Sequence, residues 1–277
     1  MPKKMKPQKK SKSPRRQKKV QSKPRPLKAK TKDKSKKGSP PPVHPWRTCP
    51  YGEHWVRTHP MHAPPSKTHS DGSVTTRHEH CARNPSGKDQ LYPEEIQEIA
   101  NQNFSALKNK PCALSLGFDD GNKYDDFIAG WVQYWSEILK PEKPLDPNLV
   151  KALIASESSF KAKLLANPKN SNSARGLMQI TNDTRKILDG YNGDLKDHLI
   201  KVTKEELNDP NTNICAGVRW LFEKRRLTSA HLKRSASWLE TIWGYKATKK
   251  AKTKKAEKKI KDILSDFYGK LQKCELK

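Results

Sequence analysis

Apolar residues in the second half of this chain recur at spacings of three and four, and the recurrence is broken by proline, aspartate and asparagine where helices start. The pattern predicts helices near residues 93–104, 125–139, 147–156, a short run after Thr181, 204–207, 210–224 and 235–248. A last helix around 256–271 sets Ile260, Ile263, Leu264, Phe267, Tyr268 and Leu271 on one face and lysines on the other. Such a helix can pack on the domain, pair with a partner or lie on an anionic membrane; packing is the ordinary choice. Before residue 93 the pattern changes. Residues 54–59 and 73–78 read as two strands around a turn at Ser70-Asp71-Gly72, a small hairpin.

The helix expected after Asp146 carries the most informative residue. Asp146 can cap free amides and Pro147 suits the first helical position. Leu149, Val150, Leu153 and Ile154 follow at helical spacing, and Glu157 continues that apolar face one turn on. A carboxyl group against apolar surface has its charged form disfavoured, which suits a general acid. A lone glutamate at a helix end more often turns to water, so the context has to decide.

That context resembles the lytic transglycosylases, lysozyme-like enzymes that cleave the glycan strands of bacterial peptidoglycan. Glu157-Ser158-Ser159-Phe160 looks like the family's catalytic segment, and Ser173-Ala174-Arg175-Gly176-Leu177-Met178-Gln179-Ile180 like its glycine-leucine-methionine-glutamine segment. The run Asp209 to Leu221, with Asn213, Ile214 and Gly217, is similar to a third family helix, and Gly244-Tyr245-Lys246-Ala247 stands where the family carries its cleft tyrosine. The four pieces occur in family order over roughly residues 125 to 250. The resemblance implies that Glu157 protonates the oxygen between N-acetylmuramic acid and N-acetylglucosamine, then takes the proton of the muramyl C6 hydroxyl as it closes on C1. It implies Ser173, Met178, Gln179 and Tyr245 as substrate-binding residues. Met178 reads equally well as core, and the tyrosine's place could slip to Trp243. Where the family has asparagine after the tyrosine, this chain has Lys246. Asp183 is the nearest second carboxylate, but it reads better as a helix N-terminal residue.

Charge and cysteine change the picture at the ends. The net charge is +28, and residues 1–48 hold nineteen Lys and Arg against the single Asp33. Prolines scattered among these lysines predict a disordered tail that could hold an anionic polymer, an anionic lipid or nucleic acid, or merely remain solvated. Almost no aromatic residue is present there for base stacking. Cys49 to Cys81 encloses six histidines, and Cys49, His59, His78 and Cys81 are a candidate structural zinc set; a cross-linked cysteine pair and a plain His-rich surface are the alternatives. Cys215 falls inside a predicted helix as a small buried thiol, and five cysteines do not suggest a disulfide scaffold. Asn84-Pro85-Ser86-Gly87-Lys88 lacks the leading glycine of a phosphate loop.

The expected architecture is mainly α. A disordered Lys/Pro-rich tail (1–48) and a small Cys/His-rich module with linker (49–120) precede a lysozyme-like catalytic domain (121–250) and a basic amphipathic helix (251–277). Catalysis by this scheme needs no cofactor, and the substrate is the peptidoglycan glycan strand. A hydrolytic muramidase on the same fold and a catalytically weak protein that binds nucleic acid or envelope polymer are the rival readings. No apolar run suits a secretory signal or a transmembrane helix. The expectation is synthesis in the cytoplasm and action at the cell wall or periplasm after delivery by a non-classical route.

Overall fold

The computed structural model describes residues 43–62, 74–246 and 253–275. Pro40–Lys277 form one compact unit. The expected disordered tail lies outside the described residues up to 42, as do the turn at 70–72 and the stretch 247–252. Four short strands come first: β1 (Glu53–Val56), β2 (His59–His62), β3 (Val74–Arg77) and β4 (His80–Arg83). They are followed by β5 (Gln90–Leu91), α1 (Pro93–Asn103), α2 (Asp125–Leu139), α3 (Pro147–Ser158) and α4 (Asn182–Leu188). Then come β6 (Leu199–Ile200), α5 (Pro210–Leu232), α6 (Trp238–Tyr245) and α7 (Lys254–Glu275). The mainly α expectation holds.

Helix starts follow from capping chemistry. Asp146 accepts from the Asn148 amide at 2.8 Å, Asp209 from that of Thr212 at 2.8 Å, and Thr181 from that of Thr184 at 3.1 Å. Ser237 and Glu240 form a reciprocal capping box, so α6 starts at Trp238, three residues later than the pattern suggests. Helix α5 runs to Leu232, well past the expected end, because nothing in 225–232 breaks a helix until Lys233 takes a left-handed conformation.

The core is built on α3. Val150, Ala152, Leu153 and Ile154 are fully buried, and α2 and α7 pack against this helix. Helix α5 lies against α1, α2 and α6. Two indoles of α2 fasten it to α5: Trp131 Nε1 donates to Asn211 Oδ1 at 2.7 Å, and Trp135 Nε1 to the Cys215 carbonyl at 3.1 Å. Cys215 itself is a buried free thiol, as its place in the helix suggests.

Two features of the expected organisation are corrected. The hairpin is longer and differently registered: β1 pairs with β4 (Glu53↔Arg83 to Val56↔His80), and β2 pairs with β3 (His59↔Arg77 to His62↔Val74). The ribbon breaks at Arg57-Thr58, where the Thr58 hydroxyl takes the Glu79 amide at 3.2 Å in place of a backbone pair. The segment 49–120 is not a separate module. Buried Arg47 donates to Glu95 Oε1 at 2.8 Å, to the Glu53 carbonyl at 2.8 Å and to Asp89, while β5 pairs in parallel with β6. Guanidinium, carboxylates and carbonyl satisfy one another there, which is what lets four polar groups enter the interior.

The C-terminal helix belongs to the same unit. Leu264 and Leu271 are fully buried, and Phe267 meets Phe118, which in turn meets Phe160. The Tyr268 hydroxyl donates to Asp146 Oδ2 at 2.6 Å, reaching the cap of α3, and Cys274 is disulfide-bonded to Cys112 with Cα atoms 6.2 Å apart. Ile263 turns outward, 40% exposed, so the buried face is narrower than the apolar pattern. Of the alternatives for this helix, packing is the one observed.

Candidate active site

Glu157 sits in the last turn of α3, with its side chain 18% exposed. The helix stops abruptly behind it: Ser159 and Phe160 both have positive φ, 50° and 61°. A left-handed conformation is uncommon for any residue with a Cβ and costly for a bulky one, so two in succession require support from their surroundings. Phe160 receives it from complete burial against Phe118. The turn brings the chain sharply away and leaves Glu157 at the helix end, facing the end of α6.

Lys246, the residue after α6, meets it there. Its ammonium donates to Glu157 Oε1 at 2.8 Å, to Ser156 Oγ at 3.1 Å and to the Ser156 carbonyl at 3.3 Å. Beside it the Tyr245 hydroxyl donates to the Met178 carbonyl at 2.6 Å. Burial and then the nearby charge of Glu157 push the Tyr245 phenol well above its usual range, which keeps it a hydrogen-bond donor at neutral pH.

The segment holding Met178 is seated by two residues of α5. Asn213 is fully buried and spends its amide on this loop: Oδ1 accepts from the Met178 amide at 2.8 Å, and Nδ2 donates to the Arg175 carbonyl at 3.1 Å and the Leu207 carbonyl at 2.8 Å. Gly176 has φ +75°, and a Cβ there would overlap the Asn213 side chain. Gly217 lies under Met178, whose sulfur would clash with any Cβ at that position. These contacts account for the spacing of asparagine and glycine along α5: one fixes the loop's backbone and the other admits its methionine.

The expected cleft residues therefore divide. Tyr245 stands with Glu157. Met178 does not line a cleft with its side chain, which is completely buried; only its carbonyl takes part. Gln179, at φ 48°, donates Nε2 back to the Gly176 carbonyl at 2.8 Å and the Leu164 carbonyl at 3.2 Å, holding its own turn. The Ser173 hydroxyl donates to the Asn167 carbonyl and accepts from the Asn167 amide, both at 3.1 Å, within its loop. Trp243 lies under the Lys261 ammonium of α7, and Asp183 is an exposed first-turn residue of α4. A cavity of about 620 Å³ bounded by Lys196, His198, Arg219, Glu223 and Arg226 contains none of these groups.

Residues 135–265 match the family described as Transglycosylase SLT domain. That match supports a lytic transglycosylase, lysozyme-like family for this part of the chain. No curated protein matches the chain. The SLT domain begins inside α2 and ends inside α7, so part of the C-terminal helix lies within it. No helix among the described residues is long and apolar enough to cross a membrane.

Outside the SLT domain, the zinc set is replaced by a covalent bond. Cys49 and Cys81 form a disulfide with sulfur atoms 2.06 Å apart and Cα atoms 5.6 Å apart, which leaves no thiolate from either for a metal. His59 Nδ1 pairs with the Arg57 carbonyl at 2.9 Å, and His78 is exposed. Among the described residues no three His, Cys, Asp or Glu side chains converge as ligands. With Cys112–Cys274, four of the five cysteines are cross-linked, a correction to the expectation of a chain without a disulfide framework.

The partner of Glu157 escaped the sequence reading. Lys246 stands out in the sequence only as a departure from the family's asparagine, and its position directly after the cleft tyrosine was the available signal.

Proposed function

We propose that this protein is a peptidoglycan lytic transglycosylase that cuts the β-1,4 bond between N-acetylmuramic acid and N-acetylglucosamine and leaves 1,6-anhydromuramyl ends. The SLT match supports the family activity. The observation that carries the finer reading is the composition of the polar group around Glu157: Lys246 and Ser156 join it, and no second carboxylate does among the described residues. Hydrolytic glycosidases place two carboxyl groups about the scissile bond, one of them for water or as nucleophile. A single acid suffices when the substrate's acetamido oxygen meets the positive charge at C1 and its own C6 hydroxyl attacks. Asp183, held in the first turn of α4, is not part of this group.

In this reaction Glu157 gives its proton to the glycosidic oxygen as the C1–O bond breaks with its electron pair. The resulting carboxylate then takes the proton of the C6 hydroxyl while that oxygen bonds to C1. Glu157 is restored and no water is consumed. Tyr245, neutral and donating to the Met178 carbonyl, fixes the loop opposite the acid.

The place of action we propose is the cell wall or periplasm, outside the compartment of synthesis. Two disulfides favour an oxidising compartment.

The test is digestion of purified peptidoglycan by the wild type and by Glu157→Gln. Products that lack a reducing end and resist borohydride reduction, made by the wild type alone, are expected. Reducible ends would assign a muramidase, and release by Glu157→Gln at the wild-type rate would remove Glu157 from the chemistry.

A further inference from the structure

Lys246 has three N–H bonds and meets three acceptors, Glu157 Oε1, Ser156 Oγ and the Ser156 carbonyl, at 2.8, 3.1 and 3.3 Å. An ammonium with its donors so committed is not available as a substrate ligand. Its side chain is 9% exposed and that of Glu157 18%, so water screens the pair only weakly. Ser156 Oγ in turn donates to the Leu153 carbonyl at 2.8 Å, which ties the ammonium through the serine to the body of α3.

We propose that Lys246 is a positioning residue for Glu157: it holds one carboxyl oxygen so that the other faces the glycosidic bond, and it supplies the countercharge during the interval when Glu157 is a carboxylate. The inference rests on the transglycosylase reading given above. In the first half of that reaction the proton leaves Glu157 for the leaving oxygen, and a negative charge is created 2.8 Å from a fixed positive one. In the second half the same charge is removed as the C6 hydroxyl proton arrives. Lys246 neither gains nor loses a proton, and no further reactant is required. A pre-placed charge stabilises the charge that develops without having to reorganise, which makes it a contribution to kcat and not to substrate affinity.

A helix brace is the competing role, because the same ammonium joins the C-terminal ends of α3 and α6, where cations are favoured. Four variants in the full chain separate the two: Lys246→Met, Lys246→Arg, Ser156→Ala and Glu157→Gln. Each is assayed on soluble uncrosslinked glycan strands, with the melting temperature measured alongside. Lys246→Met is expected to lose roughly tenfold or more in kcat with KM within about twofold, a change confined to the reacting state. Lys246→Arg, which keeps the charge, is expected to recover most of that loss. Ser156→Ala removes one brace acceptor and leaves both charges, so its loss in kcat should be the smaller. Wild-type kcat in Lys246→Met overturns the proposal. So does an equal loss in Lys246→Met, Lys246→Arg and Ser156→Ala that follows the melting temperature. An active Glu157→Gln fails the underlying reading instead, whatever the lysine variants do.

Discussion

The two ends of α3 are built on opposite plans. At its N-terminal half, Asp146 caps the helix and is itself held by the Tyr268 hydroxyl, and Lys151 is a fully buried cation. The Lys151 ammonium donates to Asp125 Oδ2 at 2.8 Å, to Asn122 Oδ1 at 2.8 Å and to the Cys112 carbonyl at 2.7 Å. Cys112 is in turn bonded to Cys274 of α7, so the helix, the loop before α2 and the C-terminal helix converge on this end. At the C-terminal end, two residues with positive φ follow a partly exposed acid that faces a single lysine. The first end spends its polar groups on rigidity. The second holds a charge pair that is only partly covered. One helix thus anchors the fold at one end and, under the proposed function, presents the acid at the other, and the difference predicts that substitutions at the first end reduce stability while those at the second reduce rate.

The largest test of that division is Lys151→Met. Removing the ammonium leaves the buried Asp125 carboxylate without its countercharge, a loss of about 3–5 kcal/mol in urea unfolding. An unchanged midpoint would break the contrast. Next comes Cys274→Ser, which opens a covalent loop of 162 residues' separation. The expected cost is about 2–4 kcal/mol, with activity at 25 °C retained wherever the fold is populated. Inactivation of Cys274→Ser while its unfolding midpoint stays put would mean that α7 serves the chemistry and not the anchor.

The smallest effect is a pH dependence. Burial lifts the Asp125 carboxyl from 3.8 to about 6 against the opposing pull of Lys151, while burial lowers Lys151. A carboxyl whose folded value exceeds its unfolded one keeps its proton longer in the native state. Its contribution to stability is therefore full below the unfolded value and is lost as pH rises through about 6. Stability of the wild type relative to Asp125→Asn, followed by thermal melts between pH 4 and pH 7, should fall as pH rises. A difference that grew with pH would show that the ion pair outweighs the burial.

How much of this could be read in advance differs residue by residue. Helix starts were legible because an Asp-Pro pair or a Thr or Ser with a nearby amide is a local chemical event, and α3 and α5 begin where such signals stand. The nomination of Glu157 draws on its place along an apolar helical face and on three further segments that follow in order. The direction of Met178 was not, since a methionine in a tight turn can face a cleft or a core, and it is Gly217, thirty-nine positions on, that makes room for it in the core. Zinc and disulfide draw on the same cysteines, so Cys49 and Cys81 alone could not distinguish them. The Cys112–Cys274 bond joins parts of the chain whose closeness only the packing of α7 on α3 creates. Strand register failed because alternation in 54–59 continues through Arg57-Thr58, whereas the backbone pairing does not.

The most direct test of the central claim is the mass-spectrometric identity of muropeptides released by the wild type and by Glu157→Gln, with unfolding midpoints measured on both. The account predicts anhydro-ended products from the wild type, none from Glu157→Gln, and midpoints that differ by less than about 1 kcal/mol in stability, because the acid sits at the rate-bearing end of α3. Anhydro products from both proteins, or loss of activity accompanied by an unfolded variant, would contradict it.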